Sequence, residues 1–310
     1  MSAFPLLRLP LVARENVLCM MTTYQLYRIS RTSSKAQNAV AIFSKPKPRY
    51  WVHLEIDENP RILMRGTNKP WTYNYELPKD SFSNDIEKMI REWMTQFEYL
   101  RKVMGARIER IEFKLNLLPR FNKTIIDWLG SQQGSIEEVR IDGIWPFLYD
   151  NDVKYLISKI KVFGSLMLME PTHSDKFKLE IPKGLRCLHV NDSEFIDYQQ
   201  FLELGAREIV LHQSDLTNLD LNRFLKAWMS GESHFDLETL EINVAGPGAI
   251  QEIMDLPHEE ANREMVGKLR EVFPDNRIPN GFNIKRADGK VATVCLGDHY
   301  GKYRFCLMTN

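Results

Sequence analysis

The sequence has few cysteines, no long apolar run and no net charge, and each shortage excludes a class of protein. Four cysteines in 310 residues (Cys19, Cys187, Cys295 and Cys306) include no CxxC pair, which argues against a disulfide scaffold and for reduced thiols in a reducing compartment. The apolar runs fall far short of the roughly 18 residues a membrane span needs. Lys plus Arg and Asp plus Glu each number 41. A neutral total argues against general nucleic-acid binding, which needs a concentrated basic footprint. No GxxxxGK[ST] loop, strand–GxGxxG–helix fingerprint or GxSxG elbow occurs. Cys187 and His189 share a face if they lie on a strand, but no further Cys or His cluster completes a zinc site. His258-Glu259-Glu260 lacks the second His of a zinc protease. Glu109 with Glu112, and Asp215 with Asp220, read as solvated charge rather than catalytic pairs. No catalytic residue, metal ligand or cofactor is therefore assigned. An enzyme with an unrecognised site stays open, its mark being a pocket of ionisable groups with strongly shifted pKa values.

What the chain does contain is uneven charge. Residues 1–49 carry eight basic side chains and one acid, Glu15, hence +7, and the rest of the chain carries −7. A basic head on an acidic body suits an acidic partner at the head. Arg8, Arg14 and Glu15 break any apolar signal-peptide core. A head rich in Arg and Ser also keeps a mitochondrial transit peptide open as an alternative.

Residues 1–45 read as three short helices. Leu9-Pro10 opens the first, since proline costs nothing in a first helical turn. Val17, Leu18 and Met21 gather on one side. Thr22 or Thr23 caps the second helix, where Leu26, Ile29, Ser30 and Ser33 share a face, and Ser34 caps the third. Pro46 and Pro48 end it, so Lys45 to Arg49 reads as a linker. Helices this short bury little alone, so Leu9, Leu18, Met21 and Leu26 are expected as exposed anchors for a partner. A small cap that folds only against its own chain is the alternative.

The longer part, 46–310, begins with strand-like runs at Tyr50–Ile56, Ile62–Arg65 and Trp71–Leu77 and a helix over Asn84–Val103. The pattern apolar-x-x-apolar-x-apolar then recurs at Ile108/Ile111/Phe113, Ile136/Val139/Ile141, Phe163/Leu166/Leu168, Leu185/Leu188/Val190, Ala206/Ile209/Leu211 and Leu237/Leu240/Ile242. Its spacing of 21–31 residues mostly fits leucine-rich repeats. Helical stretches fill the gaps at Asn122–Leu129, Asp152–Phe163, Ser193–Leu204 and Asn218–Met229. The expected fold is α+β or α/β: a three-helix head, an irregular leucine-rich-repeat-like strand–helix domain with units over about 108–245, and a β cap over 280–310. Asp288-Gly289 marks a hairpin in that cap. An ordinary α/β layer domain is the alternative.

The outward row on such strands lies between the second and third apolar positions. It reads Glu112, Arg140, Met167, His189, Val210 and Glu241, and the next outward row includes Met169 and His212. An apolar centre with a charged rim is what a protein-binding surface needs.

Two segments also resemble a known family. Phe4 to Pro10, Val17-Leu18, Leu26 and Ile29-Ser30 resemble the F-box of nematode proteins, although Lys35-Ala36-Gln37 stands where many F-boxes carry a tryptophan. Within residues 216–310, Leu216-Thr217-Asn218, Asp220-Leu221-Asn222, Phe224-Leu225-Lys226, Trp228 and Gly231, then Phe282, Ile284-Lys285-Arg286, Asp288-Gly289 and Ala292-Thr293-Val294, resemble the F-box-associated domain (type 2). The resemblance implies an F-box at 1–45 that docks Leu9, Pro10, Val17, Leu18, Met21, Leu26 and Ile29 on the Skp-type adaptor of a cullin–RING (SCF-type) ubiquitin ligase. It implies a protein substrate held by 46–310, no chemistry in this chain, no cofactor, and a cytoplasmic or nuclear location. A scaffold without ligase binding is the alternative function.

Overall fold

A computed structural model describes residues 6–45, 50–66, 72–75, 86–143, 149–169, 174 and 177–309. Phe4, Pro5, Pro46 to Arg49, Trp71, Leu77, Asn84, Ile144 and Trp145 lie outside them. The chain is α+β with mixed strand pairing, and it divides into two compact units, Met1–Glu137 and Glu138–Asn310.

Unit 1 opens with a 3-10 turn, Leu6–Arg8, and three helices: α1 Leu11–Met20, α2 Thr23–Ser30 and α3 Ser34–Ser44. Thr22 caps α2 in a reciprocal box with Gln25 (2.8 and 3.1 Å), which satisfies two otherwise orphaned donors. The cap of α3 is Ser33, not Ser34, through a bond from the Ala36 N–H to the Ser33 hydroxyl (3.2 Å). Pro10 stands one place before α1, in an extended conformation.

Strands β1 Tyr50–Ile56, β2 Arg61–Gly66 and β3 Thr72–Tyr75 form an antiparallel meander, and β4 Arg107–Lys114 runs parallel to β1. Alternation sends Tyr50, Val52, Leu54 and Ile56 to the buried face of β1, as a period of two requires. Helix α4, Ile86–Met104, buries Ile90, Trp93, Phe97 and Leu100, and α5, Asn122–Gln132, buries Ile125, Ile126 and Leu129. Trp93 and Trp128 lie 5.0 Å apart between them. Each fully buried side chain of this kind contributes about 1.5–3 kcal/mol.

The helical head is packed on α4. Gln96 donates to the Tyr27 hydroxyl (3.1 Å), Tyr99 donates to Ser30 (2.9 Å), and the Arg31 guanidinium lies 4.6 Å over the Tyr99 ring.

In unit 2 the strands β6 Lys161–Leu168, β7 Cys187–Val190, β8 Glu208–Leu211 and β9 Thr239–Val244 run parallel; the preceding β5, Ser135–Asp142, contains the unit boundary. Helices α6 Asp150–Lys159, α7 Tyr198–Leu202 and α8 Asn218–Ser230 connect the strands. Helix α8 starts at a Thr217–Asp220 capping box and ends at Gly231 in the left-handed region, where glycine carries no steric penalty. The expected helix over Asp152–Phe163 ends at Lys159. Phe163 is an exposed strand residue, and Val162 takes the inward place.

The chain then passes through α9 Ala249–Ile253, β10 Glu259–Glu260 and α10 Arg263–Val272 into three antiparallel strands, β11 Phe282–Lys285, β12 Val291–His299 and β13 Lys302–Thr309. β13 pairs antiparallel with β9, so the C-terminal strands extend the parallel ones. On β12 and β13 both faces are covered: Val294, Cys295, Phe305, Cys306 and Leu307 are all buried. Val266, Leu269 and Phe273 of the α10 region pack against Cys295, Cys306 and Met308. Gly297 permits the close approach of this layer, because a Cβ there would stand 2.7 Å from that of Asn276.

Candidate functional site

The outward row of unit 2 stacks strand on strand. Met167 pairs with His189, His189 with Val210 and Val210 with Glu241 across successive strands. The inward neighbours Leu166, Leu188, Ile209 and Leu240 pair in the same register and are fully buried. Met167, Met169, His189, Val210 and His212 are half-buried. Arg140 is half-buried too and bonds Asp142 (3.0 Å).

Glu241 departs from this row by being buried. Its carboxylate accepts from His212 Nε2 (3.0 Å), Arg304 Nη1 (2.6 Å) and Asn276 Nδ2 (3.1 Å). Burial works to raise its pKa, but the bonds from His212 and Asn276 and the charge of Arg304 prevail and hold the carboxyl below its ordinary value. Glu241 is therefore a structural ion-pair centre rather than a rim residue open to a partner. Neither Arg304 nor Asn276 is signalled by the repeat pattern; both arrive through the C-terminal strands and the turn before them.

His212 also meets Asn191 (3.3 Å) through Nδ1, and its ring lies edge-on to His189 at 5.3 Å. Burial, then the neighbouring His212, pushes the His189 imidazole below its ordinary value. Burial and the nearby Glu208 push the Cys187 thiol up to about 11, the opposite of what an activated nucleophile needs. Among the described residues no group of three or more His, Cys, Asp and Glu is placed to hold a metal.

Glu112 lies in unit 1, on the outward side of β4, 3.9 Å from His53 and from Arg110. Glu109 pairs with Arg65, and Asp220 serves the α8 cap, so these carboxylates are occupied structurally.

In the head, Leu18 (1% exposed) and Leu26 (2%) are core residues. This corrects the expectation that they are exposed anchors: both face the interior of unit 1. Pro10 is exposed, and Leu9, Val17, Met21 and Ile29 are half-buried. The most exposed apolar side chains of the head are instead Leu11 (55%), Val12 (69%) and Met20 (77%) on α1. Periodicity marks an inward stripe, and these residues lie off it.

The F-box associated family model matches residues 176–242. The matched segment covers β7, α7, β8, α8 and β9 as far as Ile242. Leu216 to Gly231, which carry part of the resemblance in sequence, fall inside the match, as do His189, Val210, His212 and Glu241. Comparison with curated proteins and with solved structures finds no match for this chain.

Proposed function

We propose that the protein is a substrate-recognition adaptor of a cullin–RING ubiquitin ligase. The observation that carries this reading is the F-box associated match at 176–242. In this reading residues 1–45 are an F-box that docks on an acidic Skp-type adaptor. The +7 charge of residues 1–49 supports it, as do three short helices that leave Leu11, Val12 and Met20 outward beside Leu9 and Pro10. The strand–helix units of unit 2 form an irregular leucine-rich-repeat-like surface on which Met167, Met169, His189, Val210 and His212 take a protein substrate. Ubiquitin transfer belongs to the partner complex, and this chain contributes proximity. The reading assigns the protein to the cytoplasm or nucleus.

The test is copurification of the full chain with a Skp-type adaptor and cullin. Leu11→Asp with Val12→Asp changes exposed side chains only, so the chain should fold. Interface anchors cost about 2 kcal/mol or more on loss, so capture should fall at least about tenfold. Undiminished capture by the folded variant overturns this docking face, and absence of cullin from the wild-type complex overturns the ligase reading. A second reading, a scaffold without ligase binding, draws on the packing of Tyr27 and Ser30 against α4. It expects partner proteins without cullin.

A further inference from the structure

The end of α3, the end of α4 and the turn after α5 enclose an open cavity of about 560 Å³ within unit 1, lined by Lys45, Arg101, Lys102 and Arg107 and by no carboxylate. Among the described residues, none of these four cations stands in an ion pair, and each is exposed. Their conventional role is to offset helix ends: Lys45 comes directly after α3, and Arg101 and Lys102 stand in the last turn of α4. Each helix C-terminus carries about half a negative charge. Three ends therefore supply roughly −1.5 against +4, and a clear positive excess remains.

Three further observations show a built cavity. Gln133 braces its wall, donating to Ile108 O (2.8 Å) and Ser135 O (2.7 Å) and accepting from the Ile108 N–H (3.0 Å). Arg101 is held by Gln132 (2.9 Å). At the lining Ser44 is 2% exposed, and its hydroxyl is buried with no hydrogen-bond partner. A buried donor without an acceptor is rare in folded chains.

We propose that this cavity binds a phosphorylated ligand, with Lys45, Arg101, Lys102 and Arg107 neutralising the phosphoryl oxygens and Ser44 turning its hydroxyl to donate to one of them. Guanidinium groups match phosphate geometry, and ammonium groups add charge without directional demand. The volume lies in the range of small-ligand sites and exceeds what a single phosphate fills. The phosphoryl group belongs either to a small polyphosphorylated molecule or to a phosphorylated side chain of a peptide. The site is independent of the adaptor reading.

The experiment is calorimetric titration of the full chain with pyrophosphate, with inositol hexakisphosphate and with a phosphoserine peptide, each at fixed ionic strength. Saturable binding of at least one probe is expected. Lys102→Ala with Arg107→Ala should weaken it about tenfold or more, and Ser44→Ala should weaken it by a smaller factor. Lys161→Ala with Lys302→Ala, which removes the same charge from exposed strand positions of unit 2, should leave it unchanged. Preference for the two small probes assigns a small-molecule site, and preference for the peptide assigns a phosphopeptide site. Binding of none of the probes, or equal weakening by both double variants, overturns the proposal.

Discussion

The two ends of unit 2's sheet use the same outward strand positions for opposite purposes. Along β6, β7 and β8 the row Met167, His189, Val210 is half-buried, whereas at β9 the same row arrives at Glu241, which is buried among Arg304, Asn276 and His212. The difference arises from later parts of the chain. Helix α10 and the turn through Asn276 cover the β12–β13 end, while among the described residues no such layer covers β6 to β8. An outward position is thus a surface only where no later segment returns to cover it. The row's sequence pattern does not say which applies.

The largest expected effect comes from breaking the covered end. Arg304→Ala leaves Glu241 buried with its main charge partner gone, and loss of one member of a buried pair is strongly destabilising. Urea unfolding should show a loss of roughly 3 kcal/mol. A loss below about 1 kcal/mol would mean that Glu241 is solvated and that the two ends are alike.

A smaller effect sharpens the contrast between the carboxylate at Glu241 and a buried group on the helix side. His234 sits between Phe201 and Phe224 (ring centres 4.9 and 5.0 Å), and burial pushes its imidazole down to about 4 from 6.5. The folded state therefore binds fewer protons than the unfolded state between those values. Its stabilising contribution is complete above about pH 6.5 and is lost as pH falls toward 4, amounting to roughly 2 kcal/mol at pH 5. Glu241, also held below its ordinary value of 4.5, should add a separate loss only in more acid solution. In His234→Asn the stability difference between pH 7 and pH 5 should shrink by about 2 kcal/mol; an unchanged difference would assign the acid sensitivity elsewhere.

Much of the helix-facing core is legible in the sequence because its signals are local. Alternation fixes the inward side of β7, β8 and β9, and the cap at Thr22 reflects Ser/Thr chemistry one turn ahead of a periodic run. The illegible parts depend on distant returns of the chain. Leu18 and Leu26 lie in a head packed on α4, some 70 residues later. Glu241 is enclosed because β13 pairs with β9 across more than 60 residues. Phe163 misleads because the apolar pattern does not mark where α6 ends and β6 begins, and the strand starting at Lys161 turns Val162 inward. The sequence suggests a likeness to F-box associated domains over 216–310, whereas the family match covers 176–242. The shared part includes α8 with its capping box, while Arg286 and Asp288 lie beyond the match. Those two form a clamp in which buried Arg286 bonds Asp288 (3.0 and 2.7 Å) and stacks 5.2 Å from Trp228.

The smallest effect on stability should fall at the open end, and there the functional effect should be the larger one. Met167→Asp with Val210→Asp places two carboxylates on half-buried positions of one outward row. Solvent reaches these sites, so the charges remain hydrated and the cost should be about 1 kcal/mol. A single Asp at Cys306, buried against Cys295 and α10, should cost several times as much, because an unpaired charge there has no water. If the open row takes a protein substrate, the double variant should keep ligase copurification and lose the substrate captured by the wild-type chain. The two carboxylates would then oppose an apolar contact at the centre of the interface, where binding energy concentrates. Unchanged capture by a folded double variant would move the substrate site off this sheet. Stability losses matching those of the Cys306 variant would show instead that the open and covered ends do not differ.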